Sequence, residues 1–217
     1  MRVLVINPNS TESMTEGIVA AARAAAAPDM VIQGMTNSSA PPAIQGEDDG
    51  RAATPGVIAA CEDAAARGFD AAIIACFDDT ALQEARAAAA IPVIGIGHAA
   101  FLTAMLYGGR FSVITTLPVS VPVIESNIDR YGLSTHCARV RASGLPVLSL
   151  ETDPEAARTT LEACAMDAAK DDGASALVLG CAGMAAFGPA MQAAAGLPAV
   201  DGVAAAIGLA RTVLKAV

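Results

Sequence analysis

Two thiols in near-identical surroundings carry the chemistry. "IIACFDD" (73–79) and "LVLGCAG" (177–183) each run from an apolar, strand-type stretch into a cysteine, Cys76 and Cys181, 105 positions apart. In open parallel sheets ligands bind beyond the carboxyl ends of the strands, and both cysteines stand at such ends. If two like units face each other across a cleft, a rough two-fold axis brings the thiols to opposite sides of one site. That arrangement suits a reaction in which a proton leaves one face of a carbon and returns to the other. One thiolate removes the proton, the other thiol supplies one, and the roles swap for the mirror-image substrate. A free thiol titrates near ~8.5, and a helix N-terminus lowers that value. "TALQ" (80–83) reads as a capping box that opens a helix just after Cys76. Asp78 and Asp79 act the other way, because a nearby carboxylate disfavours thiolate.

The residues around the thiols favour a neutral substrate. Their motifs contain no Lys or Arg, and a dianion would want cations or many backbone donors. A neutral ring with N–H donors and C=O acceptors is matched by Asp or Asn side chains and main-chain amides. Gly183 lacks a side chain, so the "AGM" backbone can approach a ligand and hold an enolate oxygen. The candidate binding residues are Asn9 and Ser10 in "INPNS", Phe77, Asp78, Asp79, Thr115, Thr116, Ala182 and Gly183. Plainer roles compete with these. Asn7, Asn9 and Ser10 can make a turn and cap a helix. His98 can be a structural histidine at a strand end, and Pro41 and Pro42 can stiffen a loop. Cys61 shares helical spacing with Val57, Ile58 and Ala65, and Cys164 with Leu161, Ala165 and Ala168, so both read as core. Cys137 has no assigned role.

Strand-like and helix-like segments alternate throughout, the pattern of an α/β chain with mainly parallel sheets. The strand candidates are 2–7, 31–35, 71–76, 92–96, 111–116, 140–150 (partly loop), 176–181 and 198–202. Two helices carry matching punctuation: Thr54, Pro55 and Gly68 for one, Asp153, Pro154 and Gly173 for the other. Ser10 or Thr11 can cap another. The order also repeats. "VIN" at 5–7 matches "VIT" at 113–115, an offset of 108, and "PVIGI" at 92 matches "PAVDG" at 198, an offset of 106. The expected fold is therefore two similar α/β units related by a pseudo-two-fold axis, with the site in the cleft between them. The expected boundaries are 1–98 and 99–201, with a last helix at 202–217 packing back on the first unit.

Composition narrows the function classes. A net charge of −9 without a basic cluster argues against nucleic acid. No apolar run is long enough for a membrane span, and the start reaches turn residues too soon for a signal peptide. Five cysteines without a CxxC pair suit reduced thiols in the cytoplasm. His98 and His136 share no motif with a cysteine, so no metal is expected.

"INPNST" (6–11), "IIACFDDTAL" (73–82), "RFSVITTL" (110–117), "RYGL" (130–133) and "VLGCAGM" (178–184) resemble the hydantoin racemase branch of the aspartate/glutamate racemase superfamily. The resemblance covers nearly the whole chain. It implies two related α/β domains, no cofactor, a 5-substituted hydantoin as substrate, and Cys76 and Cys181 as the acid/base pair. A homo-oligomer is expected as well. Allantoin racemases share much of the pattern. Arylmalonate decarboxylases keep only the second cysteine, so the presence of Cys76 disfavours that activity. Glutamate racemases follow their cysteines with other residues than Phe77-Asp78 and Ala182-Gly183, which disfavours an amino-dicarboxylate. Two readings from other classes are a thiol redox protein with Cys76 and Cys181 as a switching disulfide, and a two-lobed ligand-binding protein.

Overall fold

A computed structural model describes residues 1–216; Val217, the end of the expected last helix, lies outside the described residues. The first run of elements is β1 (Arg2–Asn7), α1 (Glu12–Ala25), β2 (Val31–Thr36), α2 (Glu47–Ala64), β3 (Ala71–Ile74), α3 (Leu82–Ala88), β4 (Val93–Gly95) and α4 (Ile96–Met105). The second is β5 (Phe111–Thr115), α5 (Val121–Arg130), β6 (Cys137–Ala142), α6 (Ser149–Thr152), α7 (Pro154–Asp171), β7 (Ala176–Gly180), α8 (Gly188–Ala195), β8 (Ala199–Asp201) and α9 (Gly202–Lys215). Two four-stranded sheets result, ordered β2-β1-β3-β4 and β6-β5-β7-β8, and every pairing is parallel. The two sheets have the same strand order, as the repeat of sequence landmarks requires. Central strands β3, β5 and β7 are buried along their whole length, which is why they read as unbroken apolar runs.

The two halves exchange helices. α4 leaves the first sheet at Gly95, yet its Ala100, Phe101 and Ala104 pack in the core under β5, with Phe111, Val113 and Ile124. α9 leaves the second sheet at Asp201, yet its Val203, Ala206, Ile207 and Ala210 join Ile18 and Ala22 of α1 beneath β1. The two exchanged helices also pack on each other. Alanine and glycine on both let the backbones approach. A Cβ on Gly202 would lie 2.7 Å from the Ile96 carbonyl oxygen. Each buried Val, Leu, Ile or Phe in these cores is worth roughly 1.5–3 kcal/mol.

Helix punctuation holds at one of the two matched sites. Asp153 caps α7 by accepting from the Ala156 N–H, and Pro154 takes the first helical position. Thr54 does not cap α2. The helix starts at Glu47, where Glu47, Asp48 and Asp49 complement the positive end of the helix dipole. Pro55 therefore lies inside it, and the Thr54 hydroxyl donates back to the Gly50 carbonyl at 2.9 Å. Gly68 does close this segment, with the Phe69 N–H on the Ala64 carbonyl and the Gly68 N–H on the Ala65 carbonyl. The expected strand at 140–150 begins earlier and stops at Ala142. Pro146 and a short helix follow, with only Leu150 buried in α6.

Because the helix crossing leaves no room at Gly202, Gly202→Ala is expected to force α4 and α9 apart and cost about 1–3 kcal/mol. Urea denaturation checks this, and an unchanged midpoint refutes it.

Candidate active site

Cys76 lies two residues beyond β3 and Cys181 directly after β7. Both line one small cavity between the sheets. The first half contributes Asn9, Cys76, Phe77 and Asp78, and the second contributes Thr115, Thr116, Cys181 and Ala182. The structure thus brings together most of the residues singled out by type and spacing.

Three expected residues lie elsewhere. Ser10 only donates its N–H to the Pro41 carbonyl at 3.0 Å. Gly183 lines a separate groove beside α1, and its N–H favours the thiolate form of Cys181. Asp79 is fully engaged away from the cavity: its carboxylate accepts from the Gly97 N–H (2.9 Å), the His98 N–H (2.8 Å) and the Tyr131 hydroxyl (2.7 Å). His98 stacks on Tyr131 with centroids 4.2 Å apart, and Arg86 reaches its Nδ1 at 3.4 Å. His98 is therefore structural. The "RYGL" motif supplies a hydroxyl that ties the Cys76 loop to α5 of the other half. Pro41 and Pro42 present carbonyls to Ser10 and Thr11.

Asn9 is held in place. Its Oδ1 accepts from the Asn7 amide (2.8 Å) and the Thr11 N–H (2.9 Å), and its Nδ2 meets the Met14 sulfur at 3.4 Å. The Thr115 hydroxyl donates to the Gly180 carbonyl at 3.0 Å, fixing the strand end that carries Cys181. Thr116 is 2 % exposed at the cavity wall. Met14, Ile44, Val147 and Ser120 complete that wall. Sequence reasoning missed them because they lie on a helix or on loops between elements. Ile44 and Val147 do follow prolines in matching loops, after β2 and after β6. The two loops are tied across the cleft by the Val147 N–H donating to Gln45 Oε1 at 3.1 Å.

Burial dominates the electrostatics. It pushes the Cys181 thiol up to about 11, with the Asp78 charge adding and the Gly183 N–H opposing. Cys76 is pushed up further, by burial first and then by Asp78. The Asp78 N–H and the Thr80 hydroxyl, which is buried without a hydrogen-bond partner, favour thiolate. The expected help from a helix start is missing. α3 begins only at Leu82, after Ala81 at φ +59, and Thr80 caps nothing. Burial and then the Asp79 charge push Asp78 up to about 7. Burial pushes Asp79 to about 6, against the pull of its three donors. Among the described residues, no group of three or more His, Cys, Asp or Glu is placed to hold a metal ion. No helix among them is long and apolar enough to cross a membrane.

Two like parallel sheets sharing a cleft between their carboxyl ends, with a thiol from each, define a two-lobed α/β protein with a paired-thiol site. The family model for Asp/Glu/Hydantoin racemase matches residues 3–210. The chain is 44 % identical over 216 residues to a hydantoin racemase of Rhizobium meliloti, spanning 100 % of this chain and 90 % of the relative. It is 37 % identical over 214 residues to a hydantoin racemase of Pseudomonas sp. (strain NS671), spanning 99 % and 86 %. The solved allantoin racemase from Klebsiella pneumoniae superposes with a TM-score of 0.96 at 38 % identity, covering 100 % of this chain and 88 % of that one. The chain belongs to the Asp/Glu/Hydantoin racemase family, and it is a racemase.

The Tyr131 hydroxyl favours the ionised form of Asp79. Tyr131→Phe is therefore expected to lower stability by about 1.5–3 kcal/mol at pH ~8, and by less once acid protonates Asp79. Thermal melts at both pH values check this. An equal loss at both, or none, refutes it.

Proposed function

We propose that the chain interconverts D- and L-5-monosubstituted hydantoins at C5 without a cofactor, with Cys76 and Cys181 as the acid/base pair. The single observation that carries this reading is that the two thiols line one cavity from opposite sheets. The units that hold them are taken as 1–98 and 99–201, with the helix from Gly202 returning to the first.

In one direction the Cys76 thiolate takes the C5 proton. The C–H bond breaks, an S–H bond forms, and the electron pair moves onto the adjacent carbonyl to give an enolate. The Cys181 thiol then gives its proton to the opposite face of C5 and is left as thiolate. The reverse direction uses the same atoms with roles exchanged. Burial raises the proton affinity of both thiols, so both hold their protons at neutral pH. The reaction thus needs one of them ionised as substrate enters. The cavity is small, about 30 Å³, room for only a water or two. Entry of a ring therefore requires the Gln45–Val147 tie or the walls it joins to move.

The walls speak to the 5-substituent. Met14, Ile44, Phe77 and Val147 are apolar, which suits aliphatic or thioether groups. Allantoin carries a ureido group at C5 whose N–H and C=O would need polar partners there. The solved allantoin racemase keeps that substrate as the second reading. The proposal also sets the enzyme in the cytoplasm, where its five free thiols stay reduced, and as a homo-oligomer.

Cys76→Ser and Cys181→Ser are each expected to lower racemisation by roughly 10²–10⁴-fold. Proton NMR of each pure enantiomer in deuterium oxide separates the roles. Any residual exchange at C5 must prefer opposite enantiomers in the two variants. A serine variant that racemises at the wild-type rate removes its cysteine from the mechanism.

A further inference from the structure

Two adjacent acids in one loop have opposite fates. Asp79 is saturated with three donors. Asp78 accepts from Asn127 Nδ2 at 2.7 Å through its carbonyl. Its carboxyl has nothing comparable. Oδ2 is buried and makes no hydrogen bond among the described residues, and the residue lines the cavity that holds both thiols. A buried polar atom without a partner is costly, and one that persists beside reactive groups calls for a ligand as its partner.

The proposed reaction, on which this inference rests, creates such a partner. Removing the C5 proton leaves negative charge on the neighbouring carbonyl oxygen. The Gly183 and Asp78 N–H groups favour the thiolate forms of Cys181 and Cys76. Thr115 is bound to Gly180, and Asn9 to Asn7, Thr11 and Met14. Asp78 brings a carboxyl oxygen without a partner to the same cavity as Thr116 and Ser120. We infer that Asp78 is a further catalytic residue, whose carboxyl O–H donates a hydrogen bond to the enolate oxygen as the C5 proton leaves. The O–H bond does not break. The proton from carbon goes to one sulfur, and the proton to carbon comes from the other.

The surroundings favour this form. Burial and the Asp79 charge hold Asp78 protonated up to about pH 7. A neutral acid stabilises an adjacent anion, whereas an ionised one would repel both the enolate and a thiolate. Inside the cavity Asp78 faces Cys76 and Cys181. On its outer side a recess of about 270 Å³ brings Glu47 and Arg51 of α2, Glu84 of α3 and Arg130 of α5. Arg51 pairs there with Glu47 at 2.9 Å. These outer groups are solvated and weigh less than the buried neighbours.

The test compares wild type, Asp78→Asn and Asp78→Ala by polarimetry on an optically pure 5-substituted hydantoin between pH ~5.5 and ~9.5. Thermal melts confirm folding. Asp78→Ala is expected to lower kcat about 10²–10³-fold with little change in KM. Asp78→Asn keeps a neutral donor of the same size, so it recovers most of that loss. It also loses the fall in kcat that wild type shows as pH rises past ~7. A folded Asp78→Ala within about threefold of wild type overturns the inference. So does an Asp78→Asn as poor as Ala beside a wild-type kcat that climbs through pH ~7, since the carboxylate would then be the working form. In both cases the two-thiol racemase reading stands. A wild type inert to hydantoins and allantoin alike overturns that reading and the inference together.

Discussion

The close crossing of α4 and α9 is the constraint on which the rest of the structure depends. Each helix starts at the end of the last strand of its own sheet and packs on the other half. Gly202 against the Ile96 carbonyl sets how near they come. Two sheets joined only by a flexible linker would leave their strand ends free to swing. With exchanged helices they are held, so the loops after β3 and β7 always face one another. The alanine-rich composition follows from the same demand: helices squeezed between two buried sheets need small residues on several faces.

What that scaffold encloses is a conflict of charges in a small, largely buried space. Two thiols and one carboxyl share the cavity; the Asp78 charge raises the proton affinity of both thiols, and Cys181 raises that of Cys76. A site built this way rests with its protons on. It avoids an idle thiolate, the form most easily oxidised. Asp79 supports the arrangement from behind. Its charge, stabilised by Tyr131 and two main-chain donors, makes a second charge on Asp78 more costly. The Tyr131 bond also joins the Cys76 loop to the opposite half, so the chemistry and the scaffold share one interaction.

The thiols were legible because a repeat of landmarks marks equivalent places in equivalent sheets, and a parallel sheet gathers its functional residues at one edge. The same logic found Asn9, Thr115 and Thr116. It failed at Thr54 and Thr80, where a cap signature was present but unused. Acidic residues upstream start α2 earlier, and Asp79 and Ala81 at positive φ turn the chain before α3 can begin. Nor could sequence divide the labour between Asp78 and Asp79. Which of two neighbours faces the cavity is set by the turn and by Gly97, whose missing Cβ lets the Phe77 carbonyl and the Asp79 carboxylate come close. Ile44 and Val147 were invisible for a different reason: long-range loop contacts leave no periodic trace.

The symmetry of the scaffold is deliberately incomplete at the site. Cys76 and Cys181 are equivalent positions, but the residue equivalent to Asp78 is Gly183, 105 places on. A racemase acts on two mirror-image substrates, and their flat intermediate is common to both. In the proposed mechanism a symmetric pair of thiols serves the two faces of that intermediate. Its carbonyl oxygen, however, lies in the plane and on one side only. One acid beside one thiol therefore suffices for both directions, and a second would add charge without a partner. Departure from two-fold symmetry at this one pair of positions is what the proposed planar enolate would demand.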